Sequence, residues 1–197
     1  ACGHDGHISI LLETARLLQS LKDSIKGEII LCFQPAEEIV QGALAMIDDG
    51  LFEDYHPERV LGLHIWNQLP SGFVGVNDSA VFASADAFSL EVKGRGGHGA
   101  LPHLNIDPIV AASHIISNAQ TIVSREISPQ DPGVLTFGKI ESGFAPNIIP
   151  DSVSIEGTIR AYSQDVRERI YSSLERISKL SAESMRSTAS TEIMYGA

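Results

Sequence analysis

The sequence predicts an α/β protein of two domains, and two observations support that fold class. In the first half of the 197-residue chain, segments with helical spacing of apolar residues alternate with short aliphatic runs, as in parallel sheets covered by helices. In the second half, the predicted order is strand, helix, strand, strand, helix, strand, which is the order of a ferredoxin-like unit. Small residues at 79–85 are typical of a hinge, so we expect domains at residues 1–82 and 83–197.

The first domain is predicted to begin with a helix and to continue with two buried strands. Apolar residues recur at i, i+3, i+4 and i+7 between residues 7 and 23, which indicates an amphipathic helix. The run at 28–33 is nearly all apolar, so it predicts a strand buried on both faces. A second helix is expected at 40–49, and the β-branched segment 59–65 predicts the second strand.

The second domain is predicted to hold four strands and two helices. Asp107 followed by Pro108 favours a helix start, because Asp accepts hydrogen bonds from free N–H groups and Pro needs no acceptor there. Strands are expected at 87–92, 134–140, 152–160 and 191–195. The inward stripes of the two helices are predicted to be Ile109, Ala112, Ile116, Ala119 and Val123, and then Val166, Ile170, Leu174, Ile177 and Leu180.

Charge, hydropathy and cysteine content exclude several classes of protein. Lysine and arginine number 14 against 25 acidic residues, and the net charge of −11 argues against nucleic-acid binding. No apolar run approaches the roughly 18 residues of a membrane helix, and no targeting signal is visible. Cys2 and Cys32 are too few for a disulfide framework and indicate a reducing compartment, so we expect a cytoplasmic protein.

Three clusters of polar residues carry groups that bind metal ions. Residues 2–7 place a thiol and two imidazoles before the first helix, Glu37 and Glu38 follow the first predicted strand, and His64 lies near the end of the second. Each cluster also has a structural explanation: a helix cap, a solvated helix start and a core histidine. Because parallel strands bring their edges together, we expect Glu37 to be free as a general base and one or two metal ions to be held by Cys2, His4, Glu38 and His64.

Six motifs, in order over nearly the whole chain, resemble those of the M20 metallopeptidases. They lie at residues 1–7, 33–38, 62–64, 94–103, 146–150 and 157–160. Within the family they are most similar to the amidohydrolase branch, which includes N-acyl-amino-acid, hippurate and indole-acetyl-amino-acid hydrolases. The resemblance implies a zinc-peptidase-like catalytic domain that hydrolyses the amide bond of an N-acyl amino acid.

The resemblance also implies roles for individual residues. The ferredoxin-like domain would be a lid that forms a homodimer, and His98 would reach the partner subunit's active site to stabilise the oxyanion. Asn147 and Arg160 resemble groups that hold the substrate's carboxylate. Glu37 would be the general base beside two divalent ions (Zn, Mn, Co or Ni), whose ligands would include Cys2, His4, Glu38 and His64.

The lid residues have ordinary explanations as well. His98 would be a solvated loop residue, Asn147 a turn former and Arg160 an exposed strand charge. Segment 152–160 alternates polar and apolar residues and so places Arg160 on the polar face of its strand. A guanidinium matches a carboxylate, and an acidic chain needs a local positive group to bind an anionic substrate. Whether Asp5 and His7 support a ligand or cap the helix stays open.

The sequence departs from the family pattern at both ends. The family has strands before the first motif and a further metal-binding histidine after the lid, and no residue of 181–197 can supply that ligand. We therefore expect either the middle of a longer protein or a truncated one. Two functions stay open: a metal-dependent amidohydrolase, or a non-catalytic dimerisation and ligand-binding module with an incomplete metal site. For neither function do we expect binding to nucleic acid or to a membrane.

Overall fold

The computed structural model describes residues 2–196, and the chain divides into two compact units between Val76 and Asn77. The regular structure of the first unit is helical. Short 3-10 turns at Lys22–Ser24 and Glu37–Ile39 follow its first helix along the chain. Its α-helices are α1 at His4–Ser20, α2 at Gly42–Asp48 and α3 at Leu51–Asp54.

The strands predicted at 28–33 and 59–65 do not form within the described part of the first unit. A strand exists through hydrogen bonds to a neighbouring strand, and neither segment has a ladder partner in residues 2–196. Both stay open to solvent, since Ile30 is 39% exposed and Leu61 is 94% exposed. The parallel sheet predicted for the first domain is therefore absent from the described residues, although the aliphatic pattern suits burial.

Helix α1 begins earlier and ends earlier than its apolar pattern predicts. Gly3 takes a left-handed conformation with φ of 74°, which glycine adopts without strain, and the chain enters the helix at His4. The last predicted turn is instead a separate 3-10 turn at Lys22–Ser24. The apolar stripe is not buried among the described residues, and Leu12 is 57% exposed.

The second unit is built on a four-stranded antiparallel sheet. Its strands are β1 at Asp86–Lys93, β2 at Gly97–His98, β3 at Gly133–Ser142, β4 at Ile148–Ile149, β5 at Ser152–Ala161 and β6 at Thr188–Met194. The long strands lie in the order β3-β5-β1-β6, and β2 pairs separately with β4. With α4 at Pro108–Thr121 and α5 at Gln164–Ser184, the long elements follow as strand, helix, strand, strand, helix, strand. No described helix of the chain is long and apolar enough to cross a membrane.

The core of the second unit lies between one face of the sheet and the two helices. Alternate residues of β1 and β5 are buried, among them Phe88 and Ile155, and they contact buried residues of both helices. The start of α4 is the predicted one, because the Asp107 side chain accepts hydrogen bonds from the backbone N–H groups of Ile109 and Val110. This packing fixes the positions of the loops that leave the sheet.

The inward faces of both helices match the predicted stripes in part: Ala112 and Ala119 of α4 are buried, and so are all of the predicted α5 residues except Leu180. In α4 the buried residues include Ala111, Ile115 and Ala119, whereas Ile109 is 45% exposed and Val123, just beyond the helix, is 37% exposed. Helix α4 is apolar on most sides, so spacing alone does not fix which side faces the sheet. In α5 the predicted Leu180 is 55% exposed and the small residues Ser181 and Ala182 lie inward instead, next to the α4 packing surface. Small side chains there allow the two helices to approach closely.

A buried carboxylate at the start of β1 connects several parts of the second unit. Asp86 is 1% exposed. It accepts hydrogen bonds from the Arg167 guanidinium, whose Nε lies 2.8 Å away, from the Gly196 amide at 2.8 Å and from the Ser84 hydroxyl at 3.0 Å. Burial acts to raise the pKa of Asp86, but the hydrogen bonds, that of Arg167 first, outweigh it and hold this pKa below its ordinary value.

We expect Asp86→Asn to lower the free energy of unfolding by about 3 kcal/mol at pH 7, because it leaves the Arg167 charge partly buried without a counter-charge. A carboxylate whose pKa is lowered by folding stabilises the native state above its unfolded pKa, about 3.9, and loses that contribution as pH falls through the folded pKa. The difference between wild type and variant should therefore shrink below about pH 4. Urea unfolding from pH 7 to pH 3 measures it.

Glu156→Gln serves as the matched control for this prediction. Glu156 pairs with Lys139 at 3.0 Å on an exposed surface of the same sheet, so its loss should change stability by less than about 1 kcal/mol. Equal stability of wild type and Asp86→Asn across the pH range would contradict the role given to the buried pair.

Candidate metal centre

The start of α1 and the turn at Glu37–Ile39 bring together three of the predicted ligands. The Cys2 thiol, one ring nitrogen of His4 and one carboxylate oxygen of Glu38 all lie within 4.8 Å of one another. We call these three residues the Cys-His-Glu cluster. Cys2 and His4 flank Gly3 at the helix start, whereas Glu38 comes from a turn more than thirty positions away in sequence. The cluster is therefore a product of folding within the first unit.

The turn that carries Glu37 and Glu38 has an uncommon backbone. Ala36 and Val40, on either side of it, take φ values of 50° and 57°, in the left-handed region that residues with a Cβ rarely adopt. The following helix approaches closely: a Cβ on Gly42 would lie 1.5 Å from the Pro35 carbonyl oxygen. Strained backbone of this kind is concentrated at functional sites, where surrounding contacts hold it.

Both adjacent glutamates face the same imidazole. Nε2 of His4 lies 3.3 Å from Oε2 of Glu37 and 3.6 Å from Oε1 of Glu38. These side chains are about half exposed, so water and small molecules have access to them. Two neighbouring carboxylates that converge on one position repel each other unless a positive charge lies between or beside them.

The donor chemistry of the Cys-His-Glu cluster fits a divalent transition metal. Hydrogen bonding and charge from the nearby Glu38 carboxylate raise the pKa of the Cys2 thiol, and the thiol in turn lowers the pKa of Glu38. The Cys2 thiol therefore lies next to the Glu38 carboxylate, the other side chain that would bind the same ion. Thiolate, imidazole and carboxylate together are a ligand set typical of zinc and similar ions.

His64 is not among the three residues of the cluster. Its ring instead makes an edge contact with the His7 ring, with centroids 4.6 Å apart, and the His7 ring lies 5.8 Å from that of His4. His64 Nδ1 lies 2.6 Å from the Ile65 carbonyl oxygen. The three imidazoles therefore form a row that leads from the cluster to His64.

His7 connects α1 to the segment that carries His64. Its Nε2 accepts a hydrogen bond from the Ile65 amide at 3.0 Å, so the neutral ring carries its proton on Nδ1 and Nε2 is already engaged. Gly6 makes room for this contact, since a Cβ there would lie 2.5 Å from the Ile65 side chain. The sequence left the role of His7 open, although its spacing from His4 puts both on one face of a helix.

In the second unit, the short β2–β4 ladder brings His98 and Asn147 together. His98 pairs with Ile148, and the Gly99 amide donates to the Asn147 carbonyl oxygen at 2.9 Å. Nδ1 of His98 accepts a hydrogen bond from the Ala100 amide at 3.0 Å. The neutral His98 ring therefore carries its proton on Nε2, which makes that nitrogen a hydrogen-bond donor.

Arg160 lies at the other end of the sheet. The β2–β4 ladder adjoins the Ser152 end of β5, where the Gly96 amide donates to the Asp151 carboxylate at 2.8 Å. From Ser152 to Arg160 the strand rises about 26 Å, at roughly 3.3 Å per residue. Arg160 there donates to the carbonyl oxygen of Asp86 at 3.3 Å. One chain therefore does not bring Arg160 beside His98 and Asn147.

Comparison with known proteins identifies the family to which this chain belongs. The chain is a member of peptidase family M20/M25/M40, whose sequence profile matches residues 1–196. This confirms the family that the six motifs predict.

Two relatives of known name and one crystal structure are similar to this chain over most of its length. The chain is 45% identical to N-acetyl-L-cysteine deacetylase of Bacillus subtilis over 86% of its length and 40% of that protein. It is 38% identical to N-acyl-L-amino acid amidohydrolase of Geobacillus stearothermophilus over its whole length and 53% of that protein. A crystal structure of the Bacillus subtilis YXEP protein, described as a dinuclear metal-binding peptidase of the M20 family, matches 98% of this chain and 48% of its own, with 30% identity and a TM-score of 0.79. The chain thus spans about half the length of these relatives.

We expect His7→Leu to speed exchange of the Ile65 amide hydrogen several-fold, because the variant removes the only acceptor that the structure shows for that N–H group. His7→Gln keeps an acceptor oxygen and should preserve part of the protection. Hydrogen exchange measures both, with the Ala45 amide, bonded to the Gln41 carbonyl in the same unit, as an internal reference. Unchanged Ile65 exchange in His7→Leu would show that the hydrogen bond does not hold this segment.

Proposed function

We propose that the whole protein hydrolyses the amide bond of N-acyl amino acids with the help of two divalent metal ions. The observation that carries the proposal is the convergence of Cys2, His4 and Glu38, with the Glu37 carboxylate beside them. The names of the Bacillus and Geobacillus relatives, a deacetylase and an amidohydrolase of N-acyl amino acids, support the choice of substrate class. The dinuclear metal-binding neighbour supports the number of ions.

The proposed ligands in this chain are the Cys-His-Glu cluster and His64. When bound, divalent ions of Zn, Mn, Co or Ni would polarise the amide carbonyl and acidify a water molecule at the site. The row of imidazoles supports His64 as the next ligand, because His7 keeps the His64 segment close to α1. His7 itself is not assigned as a ligand, since its Nε2 already accepts the Ile65 hydrogen bond.

Glu37 is proposed as the general base. Its carboxylate faces the same imidazole as Glu38 but does not belong to the Cys-His-Glu cluster, so one oxygen stays available for proton transfer. As the water oxygen bonds to the amide carbon, Glu37 would take one of its protons. It would then give that proton to the amide nitrogen as the C–N bond breaks, which yields a carboxylic acid and a free amine.

His98 is proposed to stabilise the negative charge that develops on the carbonyl oxygen. The Ala100 hydrogen bond to Nδ1 favours the tautomer in which Nε2–H is free to donate to that oxygen. A glycine on either side of His98 allows the loop to approach a ligand closely. The donor would act in the active site of a partner subunit.

Arg160 is proposed to bind the free carboxylate of the substrate in a homodimer formed through a ferredoxin-like lid. The separation of about 26 Å along β5 supports an active site that takes His98 and Asn147 from one chain and Arg160 from the other. Arg160 also offsets the net charge of −11, which would otherwise repel an anionic substrate.

The two exposed thiols, Cys2 and Cys32, support a cytoplasmic location.

Hydrolysis of N-acetyl and N-benzoyl amino acids tests the proposal directly. The full-length protein should release the amino acid when Mn²⁺, Co²⁺ or Zn²⁺ is supplied and should lose the activity on chelation. Ligand binding and dimer formation without hydrolysis under all three metals would favour the non-catalytic module instead.

We expect Glu37→Gln in the full-length protein to lower kcat by roughly 10² or more, because the amide cannot accept the water proton. Metal content should stay at the wild-type level, since Glu37 is outside the Cys-His-Glu cluster. Steady-state kinetics and elemental analysis measure the two quantities.

The neighbouring Glu38→Gln is the matched control, because it is the same chemical change one residue along the chain. It should lower metal affinity, as removal of a ligand does. The proposed division of roles fails if Glu37→Gln keeps wild-type turnover, or if it loses metal to the same extent as Glu38→Gln.

We expect Arg160→Ala to lower kcat/KM for free-acid substrates by roughly 10- to 100-fold, the effect of losing a charge-assisted pair worth about 1.5 to 3 kcal/mol. For methyl-ester versions of the same substrates the variant should lower kcat/KM far less, because they have no carboxylate to pair with Arg160. Equal losses for acid and ester would mean that Arg160 is structural, in keeping with its hydrogen bond to the Asp86 carbonyl.

Mixing of two variants tests which chain supplies each group. In a mixed dimer of Arg160→Ala with His98→Ala, one of the two active sites would receive both intact side chains, so activity on free acids should return. If both side chains serve the same active site from one chain, no mixed site is intact and mixing restores nothing.

A further inference from the structure

We propose that Asn105 is a positioning residue that fixes the His98 ring, an inference that rests on the proposed role of His98. Asn105 follows the short 3-10 turn Pro102–Leu104 and is only 7% exposed. It is among the few buried polar residues of the described chain, and the hydrolytic steps above do not use it.

The Asn105 amide group closes the turn that begins at His98. Its Nδ2 donates to the Leu101 carbonyl oxygen at 3.0 Å and to the His98 carbonyl oxygen at 3.4 Å. Both neighbours are acceptors, so the amide nitrogen, and not the amide oxygen, must face them. The same turn is closed from within by the Leu101 amide, which donates to the His98 carbonyl oxygen at 2.9 Å.

The backbone is wrapped closely around this amide group. A Cβ on Gly97 would lie 2.3 Å from Oδ1 of Asn105, so only glycine fits there. Glycines at 96, 97 and 99 would by themselves leave the loop free to adopt many conformations. The buried amide selects one of them.

Asn105 is in turn tied to the rest of the second unit. Its carbonyl oxygen accepts a hydrogen bond from Arg186, which follows α5, at 3.3 Å, and its own amide donates to the Pro102 carbonyl oxygen at 3.1 Å. Next to it, the Ile106 and Arg95 backbones exchange hydrogen bonds at 2.9 Å. Asn105 thus connects the framework of the second unit, through its backbone, to the glycine-rich loop around His98, through its side chain.

This connection has a chemical consequence for His98. The ring is exposed, and its orientation depends on the Ala100 amide that donates to Nδ1 at 3.0 Å. Ala100 lies inside the turn that Asn105 closes. Loss of the Asn105 amide would release that N–H group, and with it the tautomer and the direction of Nε2–H.

The test compares Asn105→Ala and Asn105→Asp in the full-length protein. Both should lower kcat about 10- to 100-fold, with little change in KM, because a misplaced donor weakens transition-state binding. The isosteric Asn105→Asp variant should lower kcat at least as much as Asn105→Ala, since it turns a carboxylate oxygen toward two carbonyl oxygens. Asn118→Ala is the matched control: it removes an amide bonded to Ser181 at 3.0 Å elsewhere in the unit and should leave kcat unchanged.

A double-variant comparison separates positioning from general destabilisation. In a His98→Ala background, Asn105→Ala should change kcat by no more than about 2-fold, because a residue that acts only through the His98 ring has nothing left to position there. An equal loss in both backgrounds would overturn the proposal. If His98→Ala itself leaves kcat unchanged, the role proposed for His98 fails instead.

Hydrogen exchange gives a readout that needs no activity. Exchange of the Ala100 amide should become faster in Asn105→Ala and should stay unchanged in Asn118→Ala. Unaltered Ala100 exchange in Asn105→Ala would overturn the inference even if the protein proves to be inactive on every amide tested.

Discussion

The buried pair of Asp86 and Arg167 is the interaction on which the arrangement of the second unit depends. A carboxylate with almost no exposure persists as an anion because a guanidinium, a backbone amide and a hydroxyl all donate to it. The same residue offers its backbone carbonyl to Arg160. A guanidinium has five N–H donors, so this contact holds Arg160 in place and leaves donors for a substrate carboxylate. Structural stability and proposed substrate binding therefore depend on one buried residue.

The two units satisfy different physical requirements. The second has a continuous apolar core, and the side chains proposed to contact the substrate stand on its strands and loops. In the described part of the first unit, Gly42 is the one buried residue, yet Cys2, His4 and Glu38 still converge. A left-handed glycine at the helix start and a strained turn around the two glutamates shape the two segments that meet there.

The sequence was informative wherever the determining interactions are local. The Asp107-Pro108 helix start and the alternation of 152–160 follow from neighbouring residues, and the structure has both. The strands expected at 28–33 and 59–65 required a ladder partner, which no local pattern can supply. The expectation that Cys2, His4 and Glu38 lie together rested on strand edges and on the family motifs; the three side chains do converge, although those strand edges do not form among residues 2–196. The acceptor role of His7 and the tautomer of His98 depend on single backbone N–H groups, and composition or spacing carries no trace of these.

The contact between Gly196 and Asp86 also brings the first strand of the second unit next to the segment that follows its last strand. The Gly196 amide donates to the Asp86 carboxylate, and a Cβ on Gly196 would lie 1.9 Å from the Ala85 carbonyl oxygen. The start of β1 and the segment that follows β6 therefore lie side by side. A module with adjacent ends can be spliced into a single surface loop of a host protein, or circularly permuted, with little loop-closure entropy to overcome. In such an insert the Asp86 carboxylate would join the strand that enters the sheet to the segment that leaves it.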